Sequence, residues 1–140
     1  MKKIGYATGV FDLFHVGHLN VLRRAKQECD ILIVGVSTDE LVLSLKNRTP
    51  VIPFEERLDI VANIKCVDHA VAEHTVDKMA AWKELQFHVT FKGDDWKGSE
   101  KWNKLEADFS EVGVQVIFFP YTAHTSSTKL RNALDLLEQG

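Results

Sequence analysis

The sequence predicts an α/β fold built on a doubly wound parallel sheet of five strands, with helices on both faces. Short apolar runs alternate with segments of helical periodicity along the whole chain. Residues 31–36 (ILIVGV) form a continuous run rich in β-branched side chains, which is typical of a central parallel strand buried on both faces. Alternating strands and helices join through right-handed crossovers, and these cover both faces of one sheet.

The elements follow from the apolar pattern. Leu19, Leu22 and Ala25 recur at helical spacing, and Pro53 suits the first turn of the helix that it precedes. In a Rossmann-like sheet of this kind, ligands bind at the carboxyl ends of the strands, where the strand order reverses. We predict strands at residues 4–8, 31–36, 69–72, 89–91 and 114–119, and helices at residues 17–28, 54–64, 77–85, 100–112 and 127–138.

Length and charge limit the function classes. The 140 residues fit a single domain, which we assign to residues 1–140. A formal net charge of -3 argues against broad nucleic-acid binding. No apolar stretch approaches the roughly 20 residues of a membrane helix, and no signal-peptide pattern follows Met1, so we expect a cytoplasmic protein without membrane contact. Cys29 and Cys66 form no C-x-x-C pair, which argues against a zinc site.

The turn after the first strand carries the strongest functional pattern. Gly9 is expected to allow a sharp turn, and Gly17 to let a phosphate approach the start of the next helix. His15 and His18 lie three residues apart at that helix start, so both rings can point at one ligand and donate hydrogen bonds to phosphate oxygens. Taken alone, the pair also fits two surface histidines or a metal site.

The whole segment resembles a known signature. Residues 9–18 (GVFDLFHVGH) match the G-x-F-D-x-x-H-x-G-H pattern of the nucleotidyltransferase superfamily. Later segments resemble its cytidylyltransferase family, most closely the glycerol-3-phosphate cytidylyltransferases, and the likeness runs from about residue 4 to residue 133. It implies that His15 and His18 are catalytic, that Gly9, Val10, Phe11 and Gly17 also bind the nucleotide, and that Asp12 binds the substrate.

Four basic residues are candidate phosphate ligands. Lys46 and Arg48 lie in a polar segment that we interpret as a loop, and the resemblance implies that Lys46 contacts both the triphosphate and the acceptor phosphate and is catalytic. Arg48 is expected at the nucleotide. Arg57 suits a phosphate through its fork of donors, although an ion pair with a nearby carboxylate is the alternative. Lys78 is expected near the acceptor phosphate, or else solvated.

Residues 93–96 (GDDW) follow the fourth strand and resemble the same family. A carboxylate such as that of Asp94 can accept a hydrogen bond from the exocyclic amino group of cytosine. The resemblance of this segment to the cytidylyltransferases favours CTP over ATP as the nucleotide.

The final strand leads into a hydroxyl-rich helix start. Free N–H groups and hydroxyls there can bind phosphates or simply cap the helix. The segment departs from the family's R-T-x-G-I-S-T-T pattern, because Tyr121 stands in place of the arginine and His124 in place of the glycine. The resemblance implies nucleotide contacts from Tyr121, Thr122, Thr125, Ser126, Ser127 and Thr128.

Together these residues predict a transfer reaction. CTP with Mg²⁺ would be attacked at its α-phosphorus by a small phosphorylated alcohol, with glycerol 3-phosphate as the first candidate. The protein itself is not expected to supply a metal site, and the resemblance implies a homodimer. The alternatives are an adenylyltransferase acting on a sugar phosphate or similar metabolite, and a non-catalytic CTP-binding module.

Overall fold

The computed structural model describes residues 1–93, 97–120 and 126–139. Five strands form one sheet in the order β3-β2-β1-β4-β5, and every neighbouring pair is parallel. The predicted doubly wound α/β fold is therefore confirmed, while the assignment of the whole chain to one domain stays a prediction. The strands are β1 (Ile4–Gly9), β2 (Ile31–Ser37), β3 (His69–Glu73), β4 (Val89–Gly93) and β5 (Gln115–Phe119).

Helices cover the two faces of the sheet with separate apolar clusters. On one face, Leu22 and Val61 pack in a cluster with the sheet residue Val34. On the other face, Tyr6, Phe87 and Phe109 form the centre of a second cluster. The helices are α1 (Val16–Gln27), α2 (Asp39–Lys46), α3 (Phe54–Ala62), α4 (Lys78–Leu85), α5 (Glu100–Glu111) and α6 (Ser127–Gln139).

The strand order reverses at β1. From β1 the chain moves outward through β2 to β3, and it then returns to the other side of β1 to add β4 and β5. Crossovers leaving β1 in opposite directions open a crevice at its carboxyl end. The fold therefore places Gly9 and the residues that follow it at the expected binding edge.

The segment carrying Lys46 is helical, which corrects its interpretation as a loop. Thr38 caps α2 by accepting a hydrogen bond from the Leu41 N–H at 3.1 Å, and Asn47 ends the helix in the left-handed conformation. Leu43 and Leu45 are exposed beside the buried Leu41. The two exposed leucines weaken the amphipathic pattern by which a helix is recognised in a sequence.

Within residues 1–93, 97–120 and 126–139, the helices all fall short of the length and apolar character needed to cross a bilayer.

The packing of Tyr6 against β2 gives a test of the fold. The Tyr6 side chain is buried, its ring stacks on Phe87 at 5.0 Å, and a Cβ added to Gly35 would collide with its hydroxyl. We expect Gly35→Ala to lower the free energy of unfolding by about 1–3 kcal/mol, the usual cost of overpacking. In a Tyr6→Phe background, Gly35→Ala should lower the free energy of unfolding by about half as much. Urea unfolding of the wild type, the two single variants and the double variant measures both losses. An equal penalty in both backgrounds would rule out the collision.

Candidate active site

A cleft of about 310 Å³ opens at the reversal point of the sheet. Its walls are the loop after β1, the ends of β4 and β5, the end of α2 and the start of α6. Parts of the chain far apart in sequence therefore meet around one cavity. The predicted site residues that line it are Gly9, Val10, Phe11, Asp12, His18, Lys46, Ser127 and Thr128.

The two histidines form the N-terminal cap of α1. His15 Nδ1 accepts a hydrogen bond from the Gly17 N–H at 3.0 Å, and His18 Nδ1 accepts one from the His15 N–H at 3.2 Å. This is a capping box, which requires partners three residues apart. Because each Nδ1 is an acceptor, a neutral ring carries its proton on Nε2.

His18 lines the cleft, whereas the neighbouring His15 does not. The two ring centroids are 4.1 Å apart, and His18 Nε2 is 3.5 Å from Ser127 Oγ. Burial lowers the pKa of His18 to about 4, with a further lowering from His15 and an opposing effect of Asp12. Burial also lowers the pKa of His15. Near pH 7 the His18 ring is therefore a neutral donor, and its Nε2–H is directed at the start of α6.

The loop between β1 and α1 has a strained backbone. Phe11 and Leu13 have φ angles of 56° and 50°, in the left-handed region that residues with a side chain rarely adopt. Gly9 has no positive φ, which corrects the expectation that it makes a sharp turn. A Cβ on Gly9 would instead lie 2.9 Å from the Phe11 ring. Gly9 makes room for this ring, whose centroid is 5.4 Å from that of His18.

Asp12 holds the loop in place. Its buried carboxylate accepts hydrogen bonds from the N–H groups of Val51 (2.8 Å) and Ile52 (2.9 Å). Asp12 lines the cleft while both of its oxygens bind the loop before α3, and its substrate contact stays a prediction.

Arg57 is a structural residue in this arrangement. Its side chain is fully buried and forms an ion pair with Asp39 at 2.7 Å. It also donates to the carbonyl oxygens of Val10 (2.6 Å), Ser37 (2.8 Å) and Ile52 (2.8 Å). These partners occupy four of its five N–H donors. The expected phosphate contact is corrected, because the guanidinium does not reach the cleft.

Lys78 is also paired within the protein. Its Nζ lies 2.6 Å from Glu73 Oε2 and donates to Thr8 Oγ1 at 2.8 Å. Thr8 lines the cleft and Lys78 does not. The lysine therefore lies one side chain behind the wall of the cleft, and its place near the acceptor phosphate stays a prediction.

Positive charge gathers at one end of the cleft. Burial lowers the pKa of Lys46, and the charges of Arg48 and Arg131 lower it further while Asp12 opposes them. Arg48 is exposed and does not line the cavity. Three cations in electrostatic contact around one carboxylate suit a ligand with several negative charges.

Arg131 lines the cleft and was not predicted from the sequence. Its Nη1 is 3.8 Å from Asp12 Oδ2, its Nη2 donates to Thr128 Oγ1 at 3.3 Å, and its buried Nε has no partner among the described residues. Its spacing could have indicated this position from the sequence, because Arg131 follows Ser127 by four residues and so shares its face of α6.

The start of α6 is joined to the histidine loop. Ser127 Oγ donates to the Asp12 carbonyl at 2.5 Å, and Ser126 Oγ accepts from the Lys129 N–H at 3.0 Å. Ser126 therefore serves as a helix cap outside the cleft, whereas Ser127 and Thr128 line it. The predicted contacts of Asp94, Tyr121, Thr122 and Thr125 lie outside the described residues.

Apolar side chains form another part of the cleft wall. Phe91 and Phe119 stack at 5.3 Å with an interplanar angle of 20°, and both line the cavity with Val21 and Pro120. A cavity lined by both cations and apolar side chains suits the two parts of a nucleotide. In the described part of the chain, no group of three His, Cys, Asp or Glu side chains is arranged to hold a metal ion.

Known proteins resemble this chain over nearly its whole length. A family model described as cytidylyltransferase-like matches residues 6–133. A glycerol-3-phosphate cytidylyltransferase of Bacillus subtilis (strain 168) is 34% identical over 135 residues, covering 96% of this chain and 98% of the relative. The protein of the same name from Bacillus spizizenii is 37% identical over 134 residues, covering 94% and 95% of the two chains.

A solved structure shows the same fold. The lipopolysaccharide core biosynthesis protein from Thermoplasma volcanium GSS1 matches with a TM-score of 0.73 and 27% identity, covering 89% of this chain and all of the other. The family model spans nearly the whole chain, and the two bacterial relatives match it almost end to end. This chain belongs to the cytidylyltransferase-like family.

Proposed function

We propose that this enzyme transfers the cytidylyl group of CTP to a small phosphorylated alcohol, releasing pyrophosphate and a CDP-alcohol. The observation that carries the proposal is the meeting of the His18 imidazole, Lys46, Arg131 and the start of α6 around one cleft. The names of the Bacillus relatives make glycerol 3-phosphate the first candidate acceptor.

The chemistry requires positioning and charge stabilisation. An oxygen of the acceptor phosphate attacks the α-phosphorus of CTP, the bond to the bridging oxygen breaks, and that oxygen leaves with pyrophosphate. Because the acceptor phosphate is already an anionic nucleophile at neutral pH, no covalent enzyme intermediate is needed. The negative charge that shifts to the phosphate oxygens is best stabilised by donors held in place beforehand.

The neutral His18 ring fits this task. Its Nδ1 is held by the backbone, so its Nε2–H, which lies 3.5 Å from Ser127 Oγ, is the donor available to the phosphates. His15 supports it through a tilted ring contact and by capping the same helix. Lys46 and Arg131 add positive charge from two other elements, and the unpaired Nε of Arg131 is a donor available for a phosphate oxygen.

A metal ion, a further cation and a second copy of the chain complete the proposal. Mg²⁺ would arrive with CTP and take ligands from phosphate oxygens, which it prefers. Arg48, beside the cleft, would add to the field that attracts the complex. We also propose a cytoplasmic homodimer, on the strength of the family resemblance.

Pyrophosphate release tests the proposed function. We expect release with CTP and a phosphorylated alcohol, and less with ATP, GTP or UTP. His18→Asn keeps a hydrogen-bond acceptor beside the His15 N–H but removes the Nε2–H donor, so kcat should fall by about a hundredfold or more while the CTP Kd changes little.

His69→Asn, at an exposed position on β3, is the matched control and should retain full turnover. CTP binding without pyrophosphate release for any acceptor would favour the non-catalytic module, and preference for ATP would favour the adenylyltransferase. Equal kcat in His18→Asn and wild type would remove His18 from the mechanism.

Arg131 should contribute to nucleotide affinity. Arg131→Met removes a half-buried charge and the unpaired donor, so the CTP Kd should rise about tenfold or more, and Arg131→Lys should restore part of the loss. Lys129→Met removes an exposed charge from the same helix and serves as the control. Calorimetric titration with CTP measures all four proteins, and equal effects of the two methionine variants would contradict the assignment.

The depressed pKa of His18 predicts a pH-dependent stability. A histidine whose folded pKa is about 4 and whose unfolded pKa is about 6.5 binds more protons when unfolded between these values. Its contribution to folding is therefore complete above pH 6.5 and declines as the pH falls toward 4, by up to about 3 kcal/mol.

Urea unfolding of wild type and His18→Asn across this range isolates the histidine. The stability difference between them should shrink as the pH is lowered. A difference that stays constant from pH 7 to pH 4.5 would contradict the depressed pKa.

A further inference from the structure

The helix that carries the two histidines also contacts the apolar part of the cleft wall. His18 and Val21 both line the cleft, and Arg24 follows them at the same spacing of three residues. Residues three apart are neighbours on the surface of a helix, so these side chains follow one another along α1. The six residues from His18 to Arg24 rise by about 9 Å. None of the chemistry proposed above uses Arg24.

Arg24 contacts the cleft wall from behind. Its guanidinium carbon lies over the ring of Phe119, 4.6 Å from the ring centroid, and Phe119 lines the cleft. Arg24 is half-buried and does not itself line the cavity. A guanidinium suits this position, because it is planar and weakly hydrated and is attracted to the face of an aromatic ring. Arg24 therefore acts on the cleft through Phe119.

Phe119 belongs to a row of contacts that crosses the sheet. It stacks on Phe91 at 5.3 Å, and a Cβ on Gly5 would lie 3.2 Å from the Phe91 ring. Both phenylalanines are only 5% exposed. Arg24 is thus the outermost member of a row that joins β1, β4, β5 and α1. Replacing Arg24 leaves Phe119 stacked on Phe91 but removes the cation–π contact that ties its ring to α1.

We infer that Arg24 is a positioning residue, which fixes the Phe119 ring as the wall against which the base of the nucleotide packs. The inference rests on the proposed function, which brings a nucleotide to this cleft. The triphosphate pairs with the cations of the cleft, so the apolar part of the wall is left for the base. Packing contacts weaken steeply with small gaps, so the base gains most from a ring that keeps one position. Arg24 sets that position from the helix that begins with the histidine cap.

Two simpler roles of Arg24 have to be separated from this one. Arg24 lies in the last turn of α1, where a positive charge interacts favourably with the helix dipole. A positive charge near the cleft would also attract any polyphosphate. Neither role depends on the Phe119 ring or on the base of the nucleotide, whereas the positioning role depends on both.

Calorimetric titration of the intact chain with CTP and with inorganic tripolyphosphate, each with Mg²⁺, separates the three roles. Arg24→Gln should raise the CTP Kd about threefold or more, and it should leave the Kd of tripolyphosphate, which has no base, nearly unchanged. Arg24→Lys keeps the charge without the planar guanidinium and should give an intermediate CTP Kd. Arg23→Gln removes an exposed charge from the neighbouring position and, as the matched control, should leave both Kd values unchanged.

The Phe119 ring supplies a second measurement. Phe119→Leu retains an apolar wall without a ring, so in this background Arg24→Gln should have no further effect on the CTP Kd. In turnover, Arg24→Gln should raise the CTP KM while kcat and the acceptor KM stay unchanged, because the base makes the same contact in the ground state and the transition state.

An unchanged CTP Kd in Arg24→Gln would overturn the inference. Equal increases for CTP and tripolyphosphate, or the same increase in the Phe119→Leu background, would overturn it too. A wild type that binds tripolyphosphate but not CTP would refute both the proposed function and the role of Arg24. CTP binding that depends on Arg24 without any pyrophosphate release would refute the transferase function alone and leave the role of Arg24 intact.

Discussion

The architecture of the cleft depends on the hydrogen bonds of one buried guanidinium. Arg57 binds Val10 at the end of β1, Ser37 at the end of β2, Ile52 before α3 and Asp39 in α2. Four segments are thus held in one arrangement by a side chain that does not line the cleft. Breaking a buried charged pair typically costs about 3–5 kcal/mol, because the remaining partner stays buried and unpaired. This clamp fixes the position from which Lys46 reaches the cleft.

The clamp also maintains a strained loop. Left-handed residues such as Phe11 and Leu13 cost on the order of 1–3 kcal/mol each, and they persist only where surrounding contacts determine the backbone. Here the Asp12 carboxylate holds the loop before α3, and the Asp12 carbonyl holds Ser127 of α6. The elements that line the cleft are thus fastened to one another before any ligand arrives, which reduces the ordering cost of binding.

The elements that depend on local sequence pattern were predicted correctly. The side-chain roles that depend on residues distant in the chain were not. The strands, five of the helices and the helix-opening histidines follow from apolar period and from spacing, and their positions agree with the structure to within a few residues. The true partners of Arg57 lie up to 47 residues away, so the sequence offered only nearby carboxylates as candidates. Exposed leucines obscured α2, and Arg131 gained its role only when α6 packed beside Asp12.

The histidine cap has a consequence for which ions this helix start can accept. Coordination of a metal through Nε2 would move the ring proton to Nδ1, directly against the backbone N–H that Nδ1 now accepts. The helix would lose its cap each time a cation bound. An anion has the opposite effect, because it accepts a hydrogen bond from Nε2–H and leaves Nδ1 as the acceptor of the backbone N–H. The backbone therefore sets the sign of the charge that the two rings can hold.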